Sequence, residues 1–313
     1  MPGVTLCAYW NRPEDFYLAE NLMKEFGGQY CTPELADIAG DPTLDGVLVC
    51  TMHNDRLRIL EAMAKAGKPV LMEKPLAHSP EPLRAMHRLL RQFPILFQSA
   101  YKIRFHSLME RARQLIPHPE ILCAHVWDGM WPDNHLNQKE IGGGNVRSQG
   151  VYGAESLHIL AGNRPVAVNA MVRNGRQPSG IEDTLVAVFE FAGGALGTLS
   201  VADAGAGPGW VSKFLVEAAG GGGGVALGTR FTQLDYQASP GAPQQTFQGV
   251  EDGFRRQTEA FLSALRNGTP SPCDFIQGAI PSIMIEQAIA SARAGCRLPI
   301  DIEGWLGEVA EPV

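Results

Sequence analysis

The run Lys68-Pro69-Val70-Leu71-Met72-Glu73-Lys74-Pro75 is where this sequence most plainly sets up chemistry. Val70 to Met72 read as a short buried strand of a parallel sheet, and that strand stops at Glu-Lys-Pro. Charged groups at the carboxyl end of such a strand face the crevice in which open α/β sheets bind ligands. Pro75 lacks an amide hydrogen and has a fixed φ, so it ends the strand and fixes the backbone behind Lys74. A lysine there, partly desolvated and beside a carboxylate, has its proton affinity moved into a range useful for acid–base work. The competing reading is an ordinary strand end with two solvated charges, and spacing alone leaves both open.

The elements that must position Lys74 follow from the rest of the chain. Its 313 residues suggest two domains, at the usual ~100–200 residues each. With 45% hydrophobic and 19% charged residues it has the make-up of an ordinary globular protein. A formal net charge of -7 disfavours nucleic acid and anionic membrane as partners. Cys7, Cys31, Cys50, Cys123, Cys273 and Cys296 are scattered without a Cys-x-x-Cys or Cys/His pair, so no metal site is expected. They read as small core residues of a reduced, cytoplasmic protein. No apolar run is long enough to span a membrane, and the first residues do not read as a secretory leader.

Val4 to Trp10 reads as a strand, and Asn11-Arg12-Pro13-Glu14 opens a helix that stops at Gly27-Gly28. Tyr30-Cys31, Asp45 to Thr51, Val70 to Met72 and Pro94 to Gln98 continue the strands. Helices over 33–38, 55–66 and 81–93 alternate with them. This alternation predicts a parallel, doubly wound sheet in residues 1–98. Residues 99–313 differ. A helix over 107–115 leads to a long strand, Ile121 to Trp131, and an amphipathic segment runs from Val151 to Leu160. Strand-like runs follow at 166–172, 184–191, 195–201 and 213–218, with a turn at Phe191 to Ala195. Helices over 253–267 and 275–294 close the chain, and 297–302 reads as a last strand. The fold class is α/β: a parallel-sheet domain plus an α+β domain with a large open, mainly antiparallel sheet. The five glycines Gly220 to Gly224 lie between strand-like runs and read as a turn rather than a phosphate cradle. Trp127, Asp128, Trp131, Asp133 and His135 could shape a sugar pocket, although such tryptophans also serve as core or interface residues.

These residues resemble the Gfo/Idh/MocA family of nicotinamide-dependent oxidoreductases. The likeness rests on LDGVLVCT…RILEAMAKAGKPVLMEKPLA, on GGGNVRSQGVYGAESLHILAG and on EDTLVAVFEFAGGALGTLSV. It implies a Rossmann domain, a C-terminal sheet domain used for homo-oligomer contacts, and hydride transfer between NAD(P) and a hydroxyl-bearing carbon of a sugar, polyol or dihydrodiol-like substrate. It implies that Lys74 positions substrate and tunes the proton donor. Where the family's catalytic helix has Asp and His, this chain has Ser148 and Tyr152, like a subset related to glucose–fructose oxidoreductase and dihydrodiol dehydrogenase. A nearby Lys74 ammonium is expected to lower the phenol's pKa, making Lys74 and Tyr152 the catalytic pair. The alternative for Tyr152 is a core aromatic.

The resemblance further places Asn11, Arg12, Thr51, Met52, His53, Glu73 and Lys74 at the cofactor, and Arg104, Trp131 and Ser148 at the substrate. Asn11 stands where the family often has an Asp for the ribose hydroxyls, and Arg12 could pair with a 2′-phosphate, which leans towards NADP. The alternatives are a helix-start Asn, a surface Arg, a solvated loop His53 and an Arg104 paired with a carboxylate. The family's first strand, its G-x-G-x-x-G turn and first helix have no counterpart in these residues. Either the start is mis-set or truncated, or the protein no longer binds a dinucleotide normally. The second function class is therefore a catalytically inactive family member acting as a ligand- or protein-binding module.

Overall fold

The computed structural model describes residues 1, 3–129, 142–175, 180–205, 213–228 and 231–307. Its first part alternates short strands and helices: β1 (Ala8–Trp10), α1 (Phe16–Phe26), β2 (Tyr30–Thr32), α2 (Leu35–Gly40), β3 (Val47–Val49), α3 (His53–Lys65), β4 (Val70–Glu73), α4 (Pro80–Gln92) and β5 (Phe97–Ala100). All strand pairings here are parallel: β1 with β2, β3 with β4, and β4 with β5. Among the described residues no ladder joins β1 to β3, so the parallel layer comes as a two-stranded and a three-stranded piece. Val70 and Met72 are fully enclosed, as expected of strands covered by helices on both faces. α3 turns Ile59, Leu60 and Met63 inward and α4 turns Leu83 and Met86 inward, each set at helical spacing. The first strand is shorter than Val4 to Trp10: Val4 and Leu6 are exposed, and β2 offers partners only from Ala8 onward.

The second part contains α5 (Ser107–Leu115), β6 (Ile121–Trp127), α6 (Asn145–Ser148), α7 (Gly150–Ala161), β7 (Pro165–Arg173), β8 (Thr184–Phe191), β9 (Leu196–Ala202), β10 (Phe214–Gly220), β11 (Gly223–Gly228), β12 (Gln233–Gln237), β13 (Gln245–Gln248), α8 (Gly253–Asn267), α9 (Phe275–Ala294), β14 (Leu298–Pro299) and α10 (Ile302–Leu306). Nine strands form one sheet in the order β13-β12-β11-β10-β6-β9-β8-β7-β14. Its pairings are antiparallel except β6 with β9. The predicted mixture of a parallel layer and a large, mainly antiparallel sheet is therefore the observed fold.

Alternate residues of the sheet are buried under α7 and α9, while Ile121, Trp127, Met171, Val186, Val188 and Leu196 are exposed on it. The Gly220–Gly224 run is a tight hairpin between β10 and β11, with positive φ at both Gly221 and Gly222. That pair of left-handed residues suits a two-residue turn between twisted strands. β12 and β13 are rich in Gln; Gln233-Leu234-Asp235-Tyr236-Gln237 alternates polar and apolar as a half-buried strand does, and β13 pairs with it at the sheet edge. The expected last strand over 297–302 is only two residues long, because Asp301 caps α10, accepting from the Gly304 amide at 3.0 Å.

α7 corrects another expectation. It is not amphipathic, since the sheet packs on one side and α9 on another. Every residue of α7 is buried except Tyr152. A Cβ at Gly153 would stand 2.5 Å from Leu199 Cδ1 and 3.2 Å from Val126 Cγ2, so only glycine lets the helix lie this close to β9 and β6. α9 also reaches the parallel layer, where Ser99 of β5 donates its amide to Cys273 O at 2.8 Å.

Candidate active site

β4 ends at Glu73 with Lys74 next, placing the lysine at the carboxyl edge of the three-stranded piece. There it meets the second part of the chain. Lys74 Nζ donates to the carbonyl of Ser148 at 2.9 Å and lies 3.9 Å from the centroid of the Tyr152 ring. Ser148 ends α6, which follows Gly143 and Gly144, both at positive φ. A Cβ at Gly144 would fall 2.2 Å from Ile181 Cγ2, so the glycines let this turn pass against Ile181. Tyr152, the one partly open residue of α7, forms the wall opposite Lys74.

The electrostatics differ from the expected pattern. Burial pushes the Lys74 amine down to about 7. Glu73 opposes this, while Arg56, Lys102 and Lys213 reinforce it. Burial raises the Tyr152 phenol above its ordinary value, with Glu73 and Glu251 adding to the rise. Lys74 sits over the ring face rather than lowering the hydroxyl's pKa. The group able to exchange a proton near neutrality is thus the lysine, and the phenol stays protonated.

Thr51, just beyond β3, has a buried hydroxyl with no hydrogen-bond partner, and so does Ser148. Buried hydroxyls are normally satisfied; those of Ser99 and Tyr101, in and just after β5, lack partners as well, so this whole edge carries unmet polar groups. Glu73 Oε2 accepts from the Lys74 amide at 3.1 Å. Met52 precedes α3 and is exposed, whereas His53 is buried rather than solvated, its ring 5.9 Å from that of His78.

Asn11 Oδ1 accepts from the Arg12 amide at 2.9 Å, and the Arg12 guanidinium lies within ion-pair distance of Asp15, Glu14 and Asp55. Three carboxylates around Arg12 disfavour a 2′-phosphate there. Arg104 donates to the fully buried Glu155 at 2.6 Å, which also faces His158. Burial alone would raise the Glu155 carboxyl, but Arg104 and His158 hold it below its ordinary value. Arg104 therefore has the structural carboxylate partner that was its alternative reading. Trp127 donates to Ser200 Oγ at 2.8 Å and stacks on His125 on the sheet face away from α7. Trp131, Asp133 and His135 lie outside the described residues.

Sequence reasoning notes Arg56 only as standing where the family commonly has a His, and does not place Lys102 or Lys213 in this site. Arg56 follows a strand end and could have been found by that position. Lys102 follows the end of β5, the neighbour of β4, and shares that positional signal, whereas Lys213 precedes β10 of the other sheet and carries none.

The model of an oxidoreductase family with an NAD-binding Rossmann fold matches residues 14–101, and that of a GFO/IDH/MocA C-terminal domain matches residues 119–221. The trans-1,2-dihydrobenzene-1,2-diol dehydrogenase of Xenopus laevis is 25% identical over 188 residues, 58% of this chain and 54% of that protein. The levoglucosan dehydrogenase of Pseudarthrobacter phenanthrenivorans is 26% identical over 58% of this chain and 55% of that protein. The chain thus spans about half the length of the curated relatives it matches. A solved levoglucosan dehydrogenase in complex with NADH and levoglucosan superposes with a TM-score of 0.84 at 19% identity, covering 94% of this chain and 90% of that one. At that identity the likeness is one of fold.

Proposed function

The chain belongs to the Gfo/Idh/MocA oxidoreductase family, and on that premise we propose that it transfers a hydride between a nicotinamide dinucleotide and a secondary alcohol carbon of a sugar, cyclic polyol or dihydrodiol. The observation that carries this reading is the Lys74 amine, held 3.9 Å over Tyr152 and 2.9 Å from the Ser148 carbonyl at a parallel-strand edge. Relatives that act on levoglucosan and on dihydrobenzenediol support the substrate class.

A bound cofactor would supply the nicotinamide C4 as hydride acceptor or donor. Thr51, Glu73 and Lys74 would hold its nicotinamide half, with Asn11 and Arg12 at the ribose end. In the oxidising direction neutral Lys74 takes the hydroxyl proton as the carbinol carbon loses its hydride, and in reduction it returns the proton. Tyr152 remains a neutral phenol that hydrogen-bonds the substrate oxygen, while its ring face favours the ammonium form. Ser148 Oγ fixes the substrate. Residues 1–98 form the nucleotide-binding domain and residues 99–313 the substrate domain, whose open sheet face pairs copies of the chain in a cytoplasmic homo-oligomer.

One observation favours the second reading, a binding module without turnover. Among the described residues no glycine-rich turn leads from a strand of the parallel layer into a helix, so the pyrophosphate contact is unsupported there. Titration with NADH and NADPH, followed by nicotinamide fluorescence, separates the two readings. Saturable binding, with NADH at least as tight as NADPH, is expected from the three carboxylates at Arg12. No binding to folded protein removes the enzyme reading for this chain.

A further inference from the structure

We propose that Arg56 is the positioning residue of the lysine site: its guanidinium staples the carbonyls of Thr51 and Pro75 together and so sets where Lys74 presents its amine. Arg56 lies in the first turn of α3 and is 4% exposed. Its Nε and Nη2 donate to Thr51 O at 3.0 and 2.8 Å, and its Nη1 donates to Pro75 O. The ladder between β3 and β4 ends at Val49 and Met72. Beyond it the chain ends carrying Thr51 and Lys74 have no strand pairing to each other. The rigid fork of Arg56 replaces that pairing, and its three hydrogen bonds all go to main-chain oxygens. A lysine in its place has no planar fork to hold both carbonyls.

The same placement acts through charge. No carboxylate stands within ion-pair distance of the buried guanidinium among the described residues. Burial pushes Arg56 itself down to about 10, with Glu73 opposing. The groups facing Lys74 are Glu73 on its own strand, Arg56 on α3, Lys102 after β5, Lys213 before β10 and the Tyr152 ring on α7. Glu73 favours the ammonium; Arg56, Lys102 and Lys213 favour the neutral amine. Within this set Glu73 accepts from the Lys74 amide, and Arg56 ties the backbone after Lys74, at Pro75, to Thr51.

The role of Arg56 in turnover rests on the proposed hydride transfer, but its structural test does not. Side-chain NMR of the full chain with 13C-labelled lysine, with Lys74→Met to assign the signal, reads the amine directly. In the wild type the Lys74 ε-CH2 protons should be shifted upfield by the Tyr152 ring and titrate near neutrality. Arg56→Gln should remove the ring shift and raise the proton affinity of Lys74 roughly tenfold, one pKa step. Arg56→Lys, which keeps the charge without the fork, should lose the ring shift while its proton affinity stays within about threefold of wild type. In turnover both variants should lower kcat more than they raise KM, with the pH optimum moved only in Arg56→Gln. Retention of the ring shift and titration in both variants, with only a lowered melting temperature, overturns the proposal. If the NMR changes occur but even the wild type turns over no alcohol, the staple stands and the enzyme reading falls.

Discussion

The parallel layer and the nine-stranded sheet bring opposite qualities to the same site. In the parallel layer the strands are three or four residues long, lie in two pieces, and leave Leu18, Leu22 and Phe26 of α1 and Leu48 of β3 exposed. The nine-stranded sheet is continuous, and its helix α7 is enclosed so closely that a methyl group at Gly153 would clash. The layer with less internal bonding carries Lys74, Thr51 and Arg56. The layer with more carries Ser148 and Tyr152. On the proposed function, a tunable amine from a lightly tied edge is pressed against a rigid wall. That arrangement puts proton affinity under the control of a few buried charges, and geometry under the control of a packed core.

The sharpest break in this comparison is Lys74→Met. Hydride transfer should fall at least ~10³-fold with the fold retained, as measured by initial rates and circular dichroism; near-normal turnover would end the assignment. The same variant tests the burial of the amine. The folded amine titrates near 7 and the unfolded one near its ordinary 10.5. Below about 7 both states hold the proton and the burial penalty is fully present. As pH rises from there, the folded chain releases the proton while the unfolded chain keeps it, so stability rises until about 10.5. Lys74→Met should therefore stabilise by a few kcal/mol at pH 6, and the gap should close by about pH 10. Denaturant melts at both pH values check this.

On the wall side, Tyr152→Phe should lower kcat ~10²-fold while leaving the pH of half-maximal rate set by Lys74. A shift in that pH would show that the phenol, not the amine, titrates. Gly153→Ala should cost about 1–3 kcal/mol by overpacking against Leu199 and Val126, read from denaturant midpoints. The smallest effect should be in dynamics: amides of β3 should exchange ~10-fold faster than those of β8, and bound NADH should slow β3 but not β8. Equal exchange in the two strands would remove the contrast between the layers.

Much of this was legible in the residues. Val70 to Met72 reads as a buried parallel strand because all three positions are apolar, and Glu73-Lys74-Pro75 reads as its end because Pro75 cannot continue it. Thr184–Phe191 and the helices Gly253–Asn267 and Phe275–Ala294 match their patterns residue for residue. β12 carries an alternating pattern, Gln233 to Gln237, that is only five residues long and holds just two apolar positions. α7 was misread because its composition shows apolar residues but not that both sides meet protein. The pairing of Lys74 with Tyr152 was expected from resemblance, but not its sense. Whether a cation lowers a phenol depends on whether it faces the hydroxyl or the ring, and on how deeply both lie. That is a matter of three-dimensional placement, as is Lys213, which approaches from the start of β10 in the other sheet.

Enclosure of α7 has a consequence for how the protein can diverge. Every residue of that helix except Tyr152 is locked between sheet and helix, so nearly any replacement there is removed by its damage to folding before substrate choice is tested. Position 152 is the single aperture through which drift in this helix can reach the reacting groups. Relatives that keep this core should therefore differ in what they accept through that residue and the loops around it, while the rest of the helix, with its buried Glu155 ion pair to Arg104, stays as it is.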